Sequence, residues 1–271
     1  MKISVIIPSY KPSEYLWKCL DSLFAQTLDK SFFEVIIVLN GCNQPYRSRI
    51  IQYLSENLKN GENFHLMQTD MGGVCHARNL GIEAAKGNYV AFVDDDDWVS
   101  PNYLENLLKV ADEDSIVETN VFRIDEVSGQ SLDYFLTDAF AKNQLASKLT
   151  FLGCRSFLSN VCCKLISRKI IGTDRFNRDY KLGEDSLFMF HISRHIHQIR
   201  MTSGDTVYYV RERSNSASRK TYSRFYRVRL ALSLMGSYLG AYLKDFRHYK
   251  FLFFLSRLIA TARKPFLKHY E

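Results

Sequence analysis

The stretch Tyr89-Val-Ala-Phe-Val-Asp94-Asp95-Asp96-Asp97-Trp98 decides how the whole chain is read. Five strand-forming residues run into four consecutive carboxylates, and Ser100-Pro101 then opens a helical pattern. Like charges crowded at the end of a buried strand raise one another's pKa unless a cation lies among them. Carboxylate oxygens are the ligands hard divalent ions prefer, and Mg2+ commonly takes one or two of them together with phosphate oxygens of a substrate. The plainer alternative is a solvated acidic turn that complements the dipole of the next helix. The position of this loop relative to the others decides between the two.

Upstream, Ile3-Ser-Val-Ile-Ile7 reads as a buried strand closed by Pro8. Ser13 is placed to cap a helix in which Leu16, Cys19, Leu20, Leu23 and Phe24 recur at helical spacing. Val35 to Leu39 reads as a second strand ended by Asn40-Gly41, and Pro45 can start a helix with Tyr46, Ile50, Leu54 and Leu58 inward. Phe64 to Met67 makes a third strand, and Gly72-Gly73 precede a helix that Gly87 would cap. After the fourth strand, a helix opened by Pro101 shows Leu104, Leu107, Leu108 and Ala111 on one face.

Strands alternating with helices imply right-handed crossovers and a mostly parallel sheet. The loops after such strands share one edge, and ligands bind there. Ser9-Tyr10, Asn40-Gly41 and the loops at 70–73 and 94–97 are therefore expected to converge, which favours a ligand over the solvated turn. No G-x-G-x-x-G follows the first strand and no G-x-x-x-x-G-K-[ST] occurs, so the expected ligand is a nucleotide diphosphate rather than a dinucleotide. A metal held by the Asp cluster would then neutralise its charge.

The composition is that of an ordinary globular protein: 271 residues, 46% hydrophobic and 24% charged. The six cysteines form no C-x-x-C pair, and Cys162-Cys163 are adjacent, which suits neither a zinc site nor a disulfide framework and points to a reducing cytoplasm. The apolar run after Met1-Lys2 ends at Pro8, so no secretory signal is expected, and no run of about 18 apolar residues offers a membrane span. Charge is unevenly spread. Residues 1–210 hold 22 Lys/Arg against 26 Asp/Glu, a net of −4, whereas residues 211–271 hold 14 against 3, a net of +11. A near-neutral body with a basic tail implies an anionic partner for the tail alone.

Four motifs in order, Ser4-Val-Ile-Ile-Pro-Ser-Tyr10, Gly72-Gly-Val-Cys-His-Ala-Arg-Asn79, Gly81-Ile-Glu-Ala-Ala-Lys-Gly87 and Asp94-Asp-Asp-Asp-Trp98, resemble the large family of inverting glycosyltransferases with the GT-A fold, the family 2 group of bacterial surface-polysaccharide synthesis. The resemblance runs through residues 3–108. It implies a Rossmann-like nucleotide-binding half and an acceptor-side half, a nucleotide-sugar donor that is usually uridine-linked, and a divalent cation, Mn2+ or Mg2+. Carried over residue by residue, Pro8 and Tyr10 would border the nucleoside and Arg78 would reach the base or diphosphate. Asp94 would face the ribose, Asp95 would assist, and Asp96 would ligate the metal. Where the family commonly has an Asp pair after the second strand, this chain has Leu39 and Asn40. Leu39 cannot accept a hydrogen bond from a base, so that contact is missing or comes from Asn40, which carries both donor and acceptor.

Residues 115–122 read as a further strand, residues 125–145 as loop and short helix, and residues 151–166 as helix and strand on the acceptor side. Lys164 matches a family position and is expected to be structural or acceptor-side. In Leu182-Gly-Glu184-Asp185-Ser-Leu-Phe188, two carboxylates open a helix, and complementing the helix dipole is their ordinary reason for being there. The resemblance makes Asp185 the general base and Glu184 its orienting neighbour or an acceptor contact. His191, His195 and His197 lack a third ligand at zinc spacing and read as core or surface residues. After a strand at 206–210, the polar loop Arg211 to Arg219 resembles a segment near the diphosphate, with Arg213 and Ser216 in that role.

From Arg224 onward, Phe, Tyr and Leu interleave with Lys and Arg, the composition of helices that lie in a membrane interface. The alternative is packing on the body or on a second copy of the chain, and no nucleic-acid motif accompanies the charge. The expected organisation is a GT-A domain over 1–220, divided into a donor half (1–118) and an acceptor half (119–220), followed by a basic amphipathic helical tail over 221–271. The expected protein transfers sugar to a glycan or lipid-linked acceptor at the inner face of the cell membrane. A nucleotidyltransferase would want a Gly- and Arg/Lys-rich loop after the first strand, which Ser9-Tyr10-Lys11-Pro12 is not. A non-catalytic nucleotide-sugar or glycan-binding subunit is kept open by Leu39-Asn40.

Overall fold

The computed structural model describes residues 2–58, 63–213 and 222–266. The first half alternates as the sequence patterning requires: β1 (Ile3–Ser9), α1 (Tyr15–Phe24), β2 (Phe33–Asn40), α2 (Tyr46–Asn57), β3 (Phe64–Thr69), α3 (Val74–Ala84) and β4 (Tyr89–Phe92). Every residue of β1 and β2 is buried, as strands covered on both faces must be. Two polar residues in them are satisfied in place. Ser4 donates to Glu34 at 2.7 Å, and Glu34 also accepts from the Lys86 amide. Gly87 was expected as a helix cap, but α3 has already ended at Ala84. Gly87 is needed instead for close approach to β1, because a Cβ there would lie 2.7 Å from the Ile3 carbonyl carbon.

The second half is β5 (Trp98–Val99), α4 (Tyr103–Val110), β6 (Ser115–Glu118), β7 (Asn120–Asp125), β8 (Ser131–Leu132), α5 (Phe135–Gln144), β9 (Lys164–Ser167), α6 (Arg168–Ile171), α7 (Glu184–Ile192), β10 (Gln198–Met201) and β11 (Val207–Glu212). The main sheet has seven strands in the order β10-β6-β9-β4-β1-β2-β3. All its pairings are parallel except those of β9, which runs antiparallel to β4 and β6. The single strand expected over 115–122 is two strands broken at Thr119, and the break passes the chain into a second sheet, β5-β11-β7-β8. Thr119 anchors the crossing by donating both its amide and its hydroxyl to the Cys163 carbonyl.

α8 (Arg224–Lys244) and α9 (Phe251–Arg263) form a helical pair that shares the core with the rest. Phe190 of α7 stacks on Tyr249 and meets Tyr238 edge-on. The Tyr238 hydroxyl pairs with that of Ser186 at 2.7 Å, and Tyr180 reaches Ser233 and Ser237. Buried Arg257 donates to Ser159 and to the Arg155 carbonyl. Packing on the body, the alternative to a membrane role, thus accounts for one face of each helix. Among the described residues the other face is exposed, and no helix is long and apolar enough to cross a membrane.

This two-sidedness makes neighbouring leucines behave differently. Leu234 is 3% exposed and Leu232 is 64% exposed on the same helix. Leu234→Ala should cost about 2–4 kcal/mol in urea denaturation, whereas Leu232→Ala should stay within about 0.5 kcal/mol of wild type. Equal losses would mean that α8 does not pack through this face.

Candidate active site

The ends of β1, β2 and β3 and the loop after β4 meet at one edge of the sheet. The Asn40 side chain donates to the Ser9 carbonyl at 2.7 Å and accepts from the Gly73 amide at 2.9 Å. Gly41, at φ +63°, comes so close to Gly72 that a Cβ would lie 2.7 Å from the Gly72 Cα. The Ser9 hydroxyl donates to Asp95 at 2.6 Å. Tyr10 presents an exposed ring at this rim, while Pro8 is buried within β1 opposite Val38. Leu39 is buried in the core. Asn40 is buried too, with each end of its amide spent on backbone, so the residue proposed to replace the missing base contact is the tie between two loops.

The four aspartates have four different environments. Asp94 accepts from Arg78 Nη2 at 3.0 Å, and the other Arg78 terminal nitrogen, Nη1, donates to Asp185 at 2.5 Å. Arg78 is 3% exposed on α3 and lies over the Phe176 ring. Asp95 holds Ser9, and Asp96 is paired with Arg213. Asp97 accepts from the Tyr208 hydroxyl at 2.8 Å and from the Arg211 amide at 2.9 Å. Tyr208 also accepts from the Asp94 amide, and Arg211 Nε donates to the Asp96 carbonyl. Strand β11 therefore also holds the acidic loop, through Asp94, Asp96 and Asp97.

Glu184 and Asp185 open α7, where the helix dipole favours negative charge. Gly183 precedes them at φ +80°, and a Cβ on it would lie 2.8 Å from the Leu234 side chain of α8. Burial raises the Glu184 carboxyl to about 7, helped by the adjacent Asp185 charge. Asp185 is also raised, by burial, against the pull of Arg78 and of a hydrogen bond from the Val161 backbone. Burial lifts Asp95 to about 7, and it raises Asp96, which Asp94 pushes further and Arg213 opposes. Asp97 is raised by the same cause.

The structure thus brings together Tyr10, Asn40, Arg78, Asp94, Asp95, Asp96, Glu184, Asp185 and Arg213. Ser216 lies outside the described residues. Lys164 is wholly buried, its ammonium donating to the Asn160 carbonyl and side chain and to the Cys162 carbonyl, which makes it structural. Sequence reasoning did not pick out Tyr208 or Arg211. The alternation of Tyr208 and Tyr209 along a strand gives no sign of which ring reaches the acidic loop.

Among the described residues no three His, Cys, Asp or Glu side chains stand ready to enclose a metal. The donor set nonetheless fits a hard divalent cation bound through one or two carboxylates and completed by ligand phosphates. Asp95 and Asp96 remain raised even with Ser9 and Arg213 beside them, so the loop is short of positive charge.

A sequence profile of glycosyl transferase family 2 matches residues 4–172. The chain is 28% identical over 226 residues to the uncharacterized glycosyltransferase EpsJ of Bacillus subtilis, which covers 81% of this chain and 64% of that protein. It is 26% identical over 226 residues to the Staphylococcus aureus poly(ribitol-phosphate) beta-N-acetylglucosaminyltransferase TarS, covering 82% and 38%. The chain therefore spans less than two-thirds of either relative. Its fold is similar to that of S. aureus TarS 1-349 in complex with UDP-GlcNAc, with a TM-score of 0.75 at 23% identity, covering 97% of this chain and 74% of that one. A mannosyltransferase of Pyrobaculum calidifontis in complex with GDP-Man and Mn2+ superposes with a TM-score of 0.64 at 19% identity, covering 97% and 69%. The GT-A arrangement implied by the sequence motifs is the one found.

The raised carboxyls set a pH dependence. Asp95 and Glu184 bind protons below about 7 in the folded chain but only near 4 once unfolded. The folded state therefore holds more protons between these values, and stability falls as pH rises through that window. Without divalent cation, the protein should gain on the order of 1 kcal/mol per group between about pH 8 and pH 6. Mn2+ should shrink that gain by stabilising the ionised loop at the higher pH. A thermal midpoint that is flat across the range, with or without Mn2+, would contradict the electrostatics of the site.

Proposed function

The chain belongs to glycosyl transferase family 2, and from that premise we propose that it is an inverting, metal-dependent glycosyltransferase. Its donor is a nucleotide diphosphate sugar, UDP-linked, and its acceptor is a hydroxyl of a glycan or lipid-linked saccharide in bacterial surface-polysaccharide synthesis. The TarS complexes with UDP and UDP-GlcNAc support the uridine reading, and the Mn2+ complex of the mannosyltransferase supports a divalent ion. The observation that carries the reaction is the single buried guanidinium of Arg78 between Asp94 and Asp185.

On this reading Asp94 faces the ribose, and Tyr10 borders the nucleoside from the rim. Arg78 holds Asp185 in place at the start of α7. Asp185 takes the proton of the acceptor hydroxyl as that oxygen attacks the anomeric carbon from the face opposite the diphosphate. The bond to the diphosphate oxygen breaks as the new glycosidic bond forms, which inverts the centre. A base with a raised pKa is better matched to a hydroxyl proton than an ordinary aspartate. Asp96 would hold Mn2+ or Mg2+, which would supply positive charge to the leaving diphosphate. Arg213, which pairs with Asp96, would add a second cation to the same oxygens. A cytoplasmic enzyme held at the inner face of the membrane would meet an acceptor carried on lipid.

Asp185→Asn keeps the hydrogen bond to Arg78 but cannot take a proton. It should bind UDP-sugar with Mn2+ within about threefold of wild type in calorimetry while transfer falls by about 10^2–10^4. Turnover equal to wild type would remove Asp185 as base. A wild-type chain that binds donor but transfers to no acceptor would favour the non-catalytic subunit instead.

A further inference from the structure

Among the described residues, packing within the chain leaves the outer faces of α8 and α9 exposed. Leu232, Leu239 and Leu243 recur along one exposed stripe of α8, and Leu252, Leu255 and Ile259 along one of α9. Both helices bury their opposite faces against the same helix, α7, through Tyr238 and Phe253 on Phe190. Each stripe therefore lies on the side of its helix away from α7. Exposed Arg229, Lys244, Lys250 and Arg263 lie on and beside them. Residues 224–266 hold nine Lys/Arg and one acidic residue, Asp245, which is already paired with His248 and lies near Arg194.

We propose that these two faces form one docking surface for an anionic lipid bilayer, entering its headgroup region with the apolar stripes and pairing the flanking cations with lipid phosphates. The inference rests on the reading above only in naming why a membrane is useful: the surface brings the cleft to a lipid-carried acceptor. Charge decides the occupant. A symmetric second copy would place the same cations against one another, since a two-fold interface meets itself. An anionic leaflet complements them, and apolar residues rimmed by Lys and Arg are what an interfacial helix requires. The same helices position α7, so docking occurs one layer from Asp185.

The test uses the full chain in vesicle flotation, with phosphatidylcholine alone and with phosphatidylglycerol added. Wild type should float with the anionic vesicles and should do so less as salt rises. Leu232→Glu with Leu255→Glu should weaken that binding by at least about tenfold. Arg229→Gln with Lys250→Gln should weaken it by about fivefold per residue, on anionic vesicles only. UDP-sugar binding by calorimetry should be unchanged in all of them, which separates this surface from the donor site. Two results would overturn the proposal: flotation of the leucine variant equal to wild type, or a wild type that ignores vesicles and sediments as a dimer split by the same substitutions.

Discussion

A buried cation with two carboxylates on it is the constraint from which the rest follows. Arg78 is nearly inaccessible to water, and an unpaired guanidinium there would be untenable. Its two terminal nitrogens are committed to Asp94 and Asp185, residues far apart in sequence and belonging to different halves. Removing one partner still leaves the other carboxylate to balance the guanidinium, and only the loss of both would strand its charge. Three elements are thereby fixed by one side chain: α3, the loop after β4, and the start of α7. The carboxylates of Asp94 and Asp185 therefore cannot move independently.

The same logic explains why four aspartates in a row are not four copies of one group. Arg78, Ser9, Arg213 and the Tyr208–Arg211 pair each take one of them. Asp97 is structural in this division. It ties β11 to the loop and shares Tyr208 with the Asp94 backbone. Asp95 and Asp96 are left with raised carboxyls despite their partners, so the loop as folded still lacks charge. That deficit is the physical basis for placing a divalent ion and a diphosphate here, and it comes from burial more than from the count of acidic residues.

The parallel half of the fold was legible because its strands are buried on both faces and its helices repeat between them. Ile3 to Ile7, Val35 to Leu39 and Tyr89 to Val93 announce themselves by hydrophobicity alone. The break at Thr119 did not, since a run that changes sheets keeps the same residue types on both sides. The short helix expected within residues 125–145 is α5, though its weak periodicity did not fix its bounds. At the site, the convergence of loops followed from topology, and the resemblance supplied Arg78, Asp94 and Asp185. What local sequence could not show was partnership over distance. Tyr208 meets Asp97 across 111 positions, and Gly87 is glycine because β1 passes beside it. Asn40 looked like a base-reading side chain until its amide was found to be tying loops together.

The tail is the place where composition and packing give different partial answers, and α7 reconciles them. Ser186, Leu187, Phe188, Met189, Phe190 and Ile192 are all buried, so α7 is covered on nearly every side. A helix apolar all round must lie inside a structure. Phe92 and Phe176 cover it from the sheet side through Phe188, and Tyr238, Tyr249 and Phe253 cover it from the other through Phe190. The basic, aromatic-rich segment that reads as a membrane element is therefore half consumed in making α7 a core helix. Gly183 shows how close the fit is, since any side chain there would collide with Leu234 just where the turn into Glu184 and Asp185 begins. The position of Asp185 thus depends on α8 and α9 as well as on Arg78, and whatever the outer face of those helices touches bears on the cleft through a single layer of side chains.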